Sequence, residues 1–445
     1  MKRGLIVLLC FLIIYAAKSQ LIAGPMLGQI EYRDAKIWVE VASTAKKLQV
    51  QYNKKGNAAP SKIVTYNGLL GAEFNPVHLQ IGGLDFNTTY QYKIIVDGKT
   101  VSSTNEFTTK DLWQWRKPAP DFSFLTGSCA YTNDFVFDRP GKPYGSDSSI
   151  FETMAKEKAS FMLWLGDNWY TREVDYFSQW GLWYRAQHTR RQPVIQNFLK
   201  AMPHYAIWDD HDYGPNDIGK QYVLKETSKK IFDSYWVNPT SGEQGEGIYT
   251  SFSFGDVDFF LMDNRWWRSS DRMKDSINGQ PNPEKQMFGS KQLQWLKNYL
   301  LHSHATFKII ATGSQVLNPL STKDKLLFFP SEYYELTNFI HANNIEGVLF
   351  LTGDRHHSEI IKVERPGTYP LYDITVSSLT AGVVPFVGPE ANSRYRLIGI
   401  DKHNYGKLSF SGARGERKLT VEYFDTKGTK LGDWSIGENE LKSNK

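Results

Sequence analysis

The sequence is short of cysteine, of net charge and of long apolar runs, and each shortage narrows what the chain can be. Two cysteines in 445 residues, Cys10 and Cys129, exclude a disulfide framework. The formal charge of +5 is small for this length, and Lys2, Arg3 and Lys18 carry three of those charges near the start. Without those three the balance falls from +5 to +2, so overall charge points to neither a nucleic-acid nor a membrane partner. The one sustained apolar run, Leu5 to Ala17, is shorter than the ~20 residues a membrane-spanning helix needs. With Lys2 and Arg3 before it and Ala17-Lys18-Ser19 after it, that run reads as a signal peptide over residues 1–19. Leu9 before Cys10 argues against a lipoprotein cleavage site. The expected destination is periplasmic, cell-surface or extracellular, with Cys129 as the only thiol left after processing. An unpaired thiol there is most simply a buried, inert one.

What is present is a two-part chain. Between residues 22 and 112, alternating runs such as Ala35–Val41, Leu48–Tyr52, Ile63–Tyr66 and Tyr90–Val96 are separated by Gly, Asn, Asp and Pro turns. That spacing predicts a small β-sandwich, with Asp97-Gly98 closing a hairpin. Lys117-Pro118-Ala119-Pro120 marks a boundary. From 120 to 435 the pattern changes to buried strands: Phe122–Thr126, Phe161–Leu165, Tyr205–Trp208, Val257–Met262, Phe307–Thr312, Val348–Thr352 and Leu371–Val376. Helical stretches such as Ser290–Leu301 and Tyr333–Asn343 lie between them, which predicts an α/β or α+β core. The Lys-rich tail after Trp434 reads as disordered. Aromatics make up 14% of the chain, which suits either core packing or a wide aromatic-lined cleft.

The residues that follow the strands carry the chemistry. The first core strand leads into Gly127-Ser128-Cys129, the second into Gly166-Asp167-Asn168-Trp169-Tyr170, and the third into Asp209-Asp210-His211-Asp212. Later strands lead into Asp263-Asn264-Arg265, Gly313-Ser314-Gln315 and Gly353-Asp354-Arg355-His356-His357. In covered sheets, ligands gather at the carboxyl ends of the strands. Asp167, Asp209, Asp210, Asp212 and Asp354 in one cleft would repel one another unless cations neutralised them. Cys and Tyr suit a trivalent or borderline-soft ion, and carboxylates and amides suit Ca²⁺, Mg²⁺ or Mn²⁺. A mixed two-metal site, able to activate a water and clamp an in-line displacement at phosphorus, is the simplest account.

Ser-Cys, Gly-Asp-x-x-Tyr, Trp-Asp-Asp-His-Asp and Gly-Asp-x-His, in this order and each after a strand, resemble the PhoD-like (alkaline phosphatase D) branch of the calcineurin-like metallophosphoesterases. The resemblance covers roughly residues 120–435, and the preceding β domain resembles that family's immunoglobulin-like N-terminal domain. It implies a metallophosphoesterase sandwich of two mixed β-sheets flanked by helices. It also implies that Cys129, Asp167, Tyr170 and His356 hold Fe³⁺, that Asp167 bridges to Ca²⁺, and that Asp210 and Asp354 serve the calcium side. Zn²⁺, Mn²⁺ or Mg²⁺ are alternatives. His211 would contact substrate and protonate the leaving oxygen, Asp212 would orient His211, and Arg265 would contact phosphate. Trp169 stands where the family often has an aliphatic residue, which would alter the pocket wall. Gln315 stands where the wider superfamily has a His ligand, and Asp209, Asn216 and Asp217 are further candidate calcium ligands.

Each of these has a plainer reading beside it. Tyr170 could be core, Arg265 a structural ion pair, and His357 a packing residue. His188, Arg190 and Arg191 read better as a solvated helix face than as a guide for anionic substrates. The expected activity is hydrolysis of phosphate mono- or diesters by a metal-activated hydroxide. The alternatives are a phospholipase D-like phosphodiesterase, a zinc-dependent hydrolase of another ester class, or a non-catalytic binding protein on a degenerate metallophosphatase scaffold.

Overall fold

The computed structural model describes residues 20–57, 60–322 and 324–443. The expected signal peptide, residues 1–19, lies outside the described residues. Strands at the N-terminus form two antiparallel sheets. Leu21–Ile30, Asp34–Val41 and Pro76–Gly82 make one, and Lys62–Thr65, Leu48–Lys54, Thr89–Val96 and Lys99–Thr100 make the other, with Asn105–Thr108 also pairing to Thr89–Val96. Ile37, Val39, Val50, Ile81 and Ile94 fill the space between them. Asp97 and Gly98, at φ 49° and 80°, make the two-residue hairpin turn that their sequence predicts.

The Asp34–Val41 strand breaks the alternation expected of a sheet with one wet face, because Ile37 to Val41 are all buried. Ile37, Val39 and Val41 face the sandwich interior, whereas Trp38 joins the main core. Trp38 Nε1 donates to the Ser234 carbonyl at 2.9 Å, and Lys36 Nζ to the Pro239 carbonyl at 3.1 Å. The sandwich is thus packed against the rest of the chain through a buried tryptophan.

The remainder is built on two mixed sheets. In the first, His204–Ile207, Met162–Leu165 and Phe122–Gly127 run parallel, followed by Tyr405–Ser411, Lys418–Phe424 and Lys430–Gly437. In the second, Val257–Leu261, Phe307–Thr312, Val348–Thr352 and Leu371–Thr375 run parallel; Thr250–Phe254 pairs antiparallel at one side and Ser358–Val363 at the other, with Arg396–Ile400 antiparallel to Ser358–Val363 at the edge. Helices Gln179–Arg191, Ser290–His302 and Pro330–Ala342 lie on crossovers between parallel strands. The strands read as unbroken apolar runs because both faces are covered. The sheets meet through aromatic rings: Phe124 edge-on to Phe259 at 5.3 Å, and Tyr205 stacked on Phe252 at 4.0 Å. Much of the aromatic content is therefore spent on the core.

The tail departs from expectation. Trp434 lies within Lys430–Gly437, which pairs along Lys418–Phe424, and a short 3-10 turn continues to a buried Leu441. Ladder hydrogen bonds and one buried leucine order a segment whose composition looked disordered.

Candidate metal centre

The carboxyl ends of the parallel strands in both sheets converge on one edge. Close approach there requires glycine. Gly166 sits at φ 91°, and a Cβ on it would lie 2.7 Å from Asp209 Cβ. A Cβ on Gly313 would lie 2.6 Å from Asp209 Cγ. The residues just beyond the strands adopt left-handed backbone, with φ of 59° at Cys129, 52° at Asp167, 65° at Asp354 and 58° at His356. Such conformations are costly for residues with a Cβ and cluster where side chains are aimed at a ligand.

Three groups of donor atoms result, each with its atoms within 4.8 Å of one another: Cys129, Asp167 and His356; Asp167, Asp210 and His211; and Asp209, Asp324 and Asp354. Asp167 belongs to two of them. Cys129 Sγ lies 3.6 Å from Asp167 Oδ2 and from the Asp354 carbonyl, and accepts from Ser377 Oγ at 3.1 Å. Tyr170 donates its hydroxyl to Asp167 Oδ2 at 3.0 Å. His356 donates from Nδ1 to the Gly382 carbonyl at 2.5 Å, which leaves Nε2 unprotonated with a free lone pair.

Electrostatics favours a bound cation. Burial, and then Asp210, Asp209, Asp212 and Asp354, push Asp167 well above the usual carboxylate range. Burial also drives the Cys129 thiol and the Tyr170 phenol well upward, with Asp167 adding to both. Asp354 rises through burial and then Asp324, Asp209 and Asp210. Burial lowers His356 to about 4. Such a set is acid-rich and reluctant to ionise unless positive charge enters, and metal binding displaces those protons. The oxygen donors fit a cation as well, because Asp209 Oδ2, Asp210 Oδ1 and Asn264 Oδ1 are buried with no hydrogen-bond partner. Buried orphans of this kind call for an explanation, and an ion supplies one.

Two expected roles do not survive the geometry. Arg265 is 0% exposed and does not reach the cleft. Its Nε donates to Asp209 Oδ1 at 2.5 Å and its Nη2 to Asp324 Oδ2 at 2.6 Å, so it is tied to two carboxylates of the third donor group rather than open to phosphate. Asp212 does not face the His211 ring. Its oxygens accept the backbone N–H of Asn168 and of Asp209, both at 2.9 Å, and so cap the short helix Asp210–Tyr213. Two other residues also sit elsewhere than expected, and Gln315, whose role was open, finds protein partners. Trp169 is buried and stacked 6.4 Å from Trp236, not on the pocket wall. Arg190 is buried beneath Trp236 at 3.8 Å, not on a solvated face. Gln315 gives its amide N–H groups to Glu359 at 2.8 Å and Thr375 at 2.9 Å.

Among the candidate calcium ligands, Asp209 joins Asp324 and Asp354. Asp217 instead donates its backbone N–H to Asp210 Oδ2 at 2.8 Å, and Asn216 lines the cleft. His357 packs on Phe386 at 4.3 Å. Asp324 was missed by sequence reasoning, since Thr322-Lys323-Asp324-Lys325 carries no motif and only the tertiary fold brings it to Asp209.

Beyond the cluster opens a cleft of about 1120 Å³, reached by Tyr144, Tyr170, His211 and Asn216. The His211 ring stacks on Tyr170 at 4.1 Å, between the carboxylates and the open space.

The two-sheet α/β sandwich with its acidic, thiol-bearing edge has the architecture of a metallophosphoesterase. The chain belongs to the PhoD-like phosphatase family, whose profile matches residues 128–396. Residues 18–112 match a domain of unknown function, DUF7800. Alkaline phosphatase D of Bacillus subtilis (strain 168) is 24% identical over 327 residues, which is 63% of this chain. The chain spans about half of that curated relative, 53% of its length. Among solved structures, PhoD superposes with a TM-score of 0.77 at 18% identity, over 96% of this chain and 92% of PhoD. A purple acid phosphatase, PPD1, from yellow lupin (Lupinus luteus) seeds gives 0.67 at 12% identity, over 93% of this chain and 74% of its own. Both likenesses are of fold.

Proposed function

We propose that this chain is an exported, metal-dependent phosphoric ester hydrolase. The observation that carries the reading is the convergence of buried Cys129, Asp167 and Tyr170 with half-buried His356, Asp167 being shared by a second group. In this reading those four residues hold Fe³⁺, and Asp167, Asp210 and Asp354 hold Ca²⁺, with Asp209 and Asp324 beside them. Bound cations would neutralise the carboxylates and polarise the phosphoryl group.

The rest of the work falls to the chain itself. Gly382 fixes the His356 tautomer, and Tyr170 holds the His211 ring by stacking; the hydroxyl proton it gives Asp167 here would be lost on binding a metal as phenolate. His211 lies where it can pass a proton to a departing ester oxygen in the cleft, and burial lowers its basicity. The cleft beside the cluster is about 1120 Å³, so the reading includes both monoesters and diesters. Export through residues 1–19, and an immunoglobulin-like domain over 22–112 ahead of a catalytic domain over 120–435, belong to the same proposal.

The test is elemental analysis of natively purified protein, paired with rates on p-nitrophenyl and bis-p-nitrophenyl phosphate. Iron with calcium, a visible Tyr–Fe³⁺ absorption band and hydrolysis of at least one ester are expected. Cys129→Ser, Asp167→Asn and His211→Ala should each abolish most of the rate, and full hydrolysis by all three would refute the site. Zinc without colour would shift the metal assignment.

A further inference from the structure

Two loops beside the cleft carry apolar residues outward. Phe135 and Val136 are 80% and 81% exposed, and Phe177 is 80% exposed. Val174 and Trp180 are exposed next to Phe177. A lone exposed hydrophobe is ordinary, but these are clustered and held from below. The Asp134 carbonyl accepts the backbone N–H of Phe137 and of Asp138, which forms the turn whose tip is Phe135-Val136. Asp138 then accepts from Arg172 Nε at 3.0 Å and from the Tyr131 hydroxyl at 2.6 Å. Arg185, fully buried, pairs with Asp134 at 3.3 Å and with Asp175 at 2.7 Å. Asp175 also accepts the Arg172 backbone N–H at 2.8 Å. One buried Arg–Asp network therefore anchors both loops. Desolvating those charges is costly, and the network fixes turns whose outward residues are apolar.

The surroundings are interfacial in character. The Phe137 ring meets Tyr184 at 6.4 Å, and Tyr184 stacks on Trp180 at 5.3 Å, which extends the tips into an aromatic belt. Exposed cations Arg139, Lys142 and Arg191 flank it, with Glu173 paired to Arg139 at 3.1 Å. Apolar tips, an aromatic belt and flanking cations are what a protein presents to a charged lipid surface. Projecting tips separated by charged residues make a poor seat for a folded partner, which needs about 800 Å² of complementary surface on each side.

We propose that this rim docks on an anionic lipid membrane, with Phe135, Val136 and Phe177 inserted below the headgroups and Lys142 and Arg191 among them. Docking brings the cleft mouth to the interface and does not depend on the hydrolytic reading. Arg139 is paired to Glu173, so Lys142 and Arg191 are the flanking cations left to meet the headgroups.

The processed chain from residue 20 onward, carrying Val136→Cys and labelled with acrylodan, reads insertion at the tip itself. Cys129 is fully buried and escapes labelling. Vesicles of phosphatidylglycerol and phosphatidylcholine should shift the dye emission to the blue, and pure phosphatidylcholine should do so at least ten-fold more weakly. Adding Phe135→Ser and Phe177→Ser should raise the lipid concentration for half-maximal shift at least ten-fold, with hydrolysis of a soluble ester unchanged. No shift, or an equal shift on both vesicle types, overturns the proposal. A shift that follows protein concentration without lipid overturns it in favour of a second copy of the chain.

Discussion

Replacing Arg265 with methionine separates two jobs that one arginine could hold. If Arg265 anchors carboxylates of the donor cluster, the change leaves Asp209 buried without its cation and Asp324 with Arg268 alone, both being less than a tenth exposed. Removing one partner of a buried pair costs about 3–5 kcal/mol, because the remaining charge stays desolvated. Arg268 still reaches Asp324 at 2.6 Å, so the loss should fall at the lower end of that range. With a urea m-value of a few kcal/mol per molar, the unfolding midpoint drops by on the order of 1 M. Arg265→Lys should recover only part of this, since one ammonium cannot bridge two carboxylates as the planar fork does. Variant protein that remains folded should show the same inorganic-phosphate inhibition constant as the parent. Urea melts followed by intrinsic fluorescence, and a phosphate inhibition constant, decide the matter. An Arg265→Met variant that melts at the parent midpoint and binds phosphate ten-fold more weakly would falsify the anchoring role.

Arg190 supplies the contrast. It is buried beneath Trp236 with no carboxylate partner described, so Arg190→Met exchanges a cation–π contact for relief of a desolvated charge and should change stability by less than about 1.5 kcal/mol in the same melts. Gly166→Ala forces a Cβ to 2.7 Å from Asp209 Cβ at φ 91°, and should at least halve the metal content found by elemental analysis while the far-ultraviolet spectrum is unchanged. His204 is buried, accepts from Trp164 Nε1 at 3.0 Å, and is pushed down to about 3 by burial. Its folded value lies below the unfolded one of about 6.5, so its stability contribution is complete above that pH. The contribution is lost as pH falls toward 3, at up to about 1.4 kcal/mol per pH unit. His204→Gln should flatten the fall in urea midpoint between pH 6 and 4, and an unchanged slope would count against it.

Legibility followed the range of the forces involved. Strands were readable wherever period-two or unbroken apolar patterning matched their burial, as in Leu48–Lys54 and Phe307–Thr312. The cluster of Cys129, Asp167, Asp210 and His356 was readable because each follows a strand, and parallel strands deliver their ends to one edge. What escaped is decided by contacts distant in sequence. Asp324 meets Arg265 across 59 positions, Trp38 meets Ser234 across 196, and nothing local marks either. Arg190 and Trp169 were placed outward because an arginine near a helix end and a tryptophan beside a ligand loop usually are. Here the N-terminal sandwich covers that side, and both are inside.

The run Asp209-Asp210-His211-Asp212 shows why adjacency is a poor guide to role. Read along the chain it is one acidic cluster. Asp209 is extended at φ −135° and starts a four-residue helix, after which successive side chains turn by ~100°. Asp209 therefore points to Asn264 and Arg265, while Asp210 points to the Asp217 N–H and toward Arg265 Nη2 at 3.6 Å. His211 turns to Tyr170 and the cleft, and Asp212 turns back to close the cap. Burial raises Asp209 to about 7 and Asp212 to about 8, whereas in Asp210 the same burial is outweighed by His211, Arg265 and the Asp217 N–H, which hold it below the usual range. Three neighbouring carboxyls thus differ in readiness to ionise because one turn of helix gives each a different partner. Of the three, Asp210 is the one held below the usual carboxylate range, and it is shared with Asp167 and His211 in one of the donor groups.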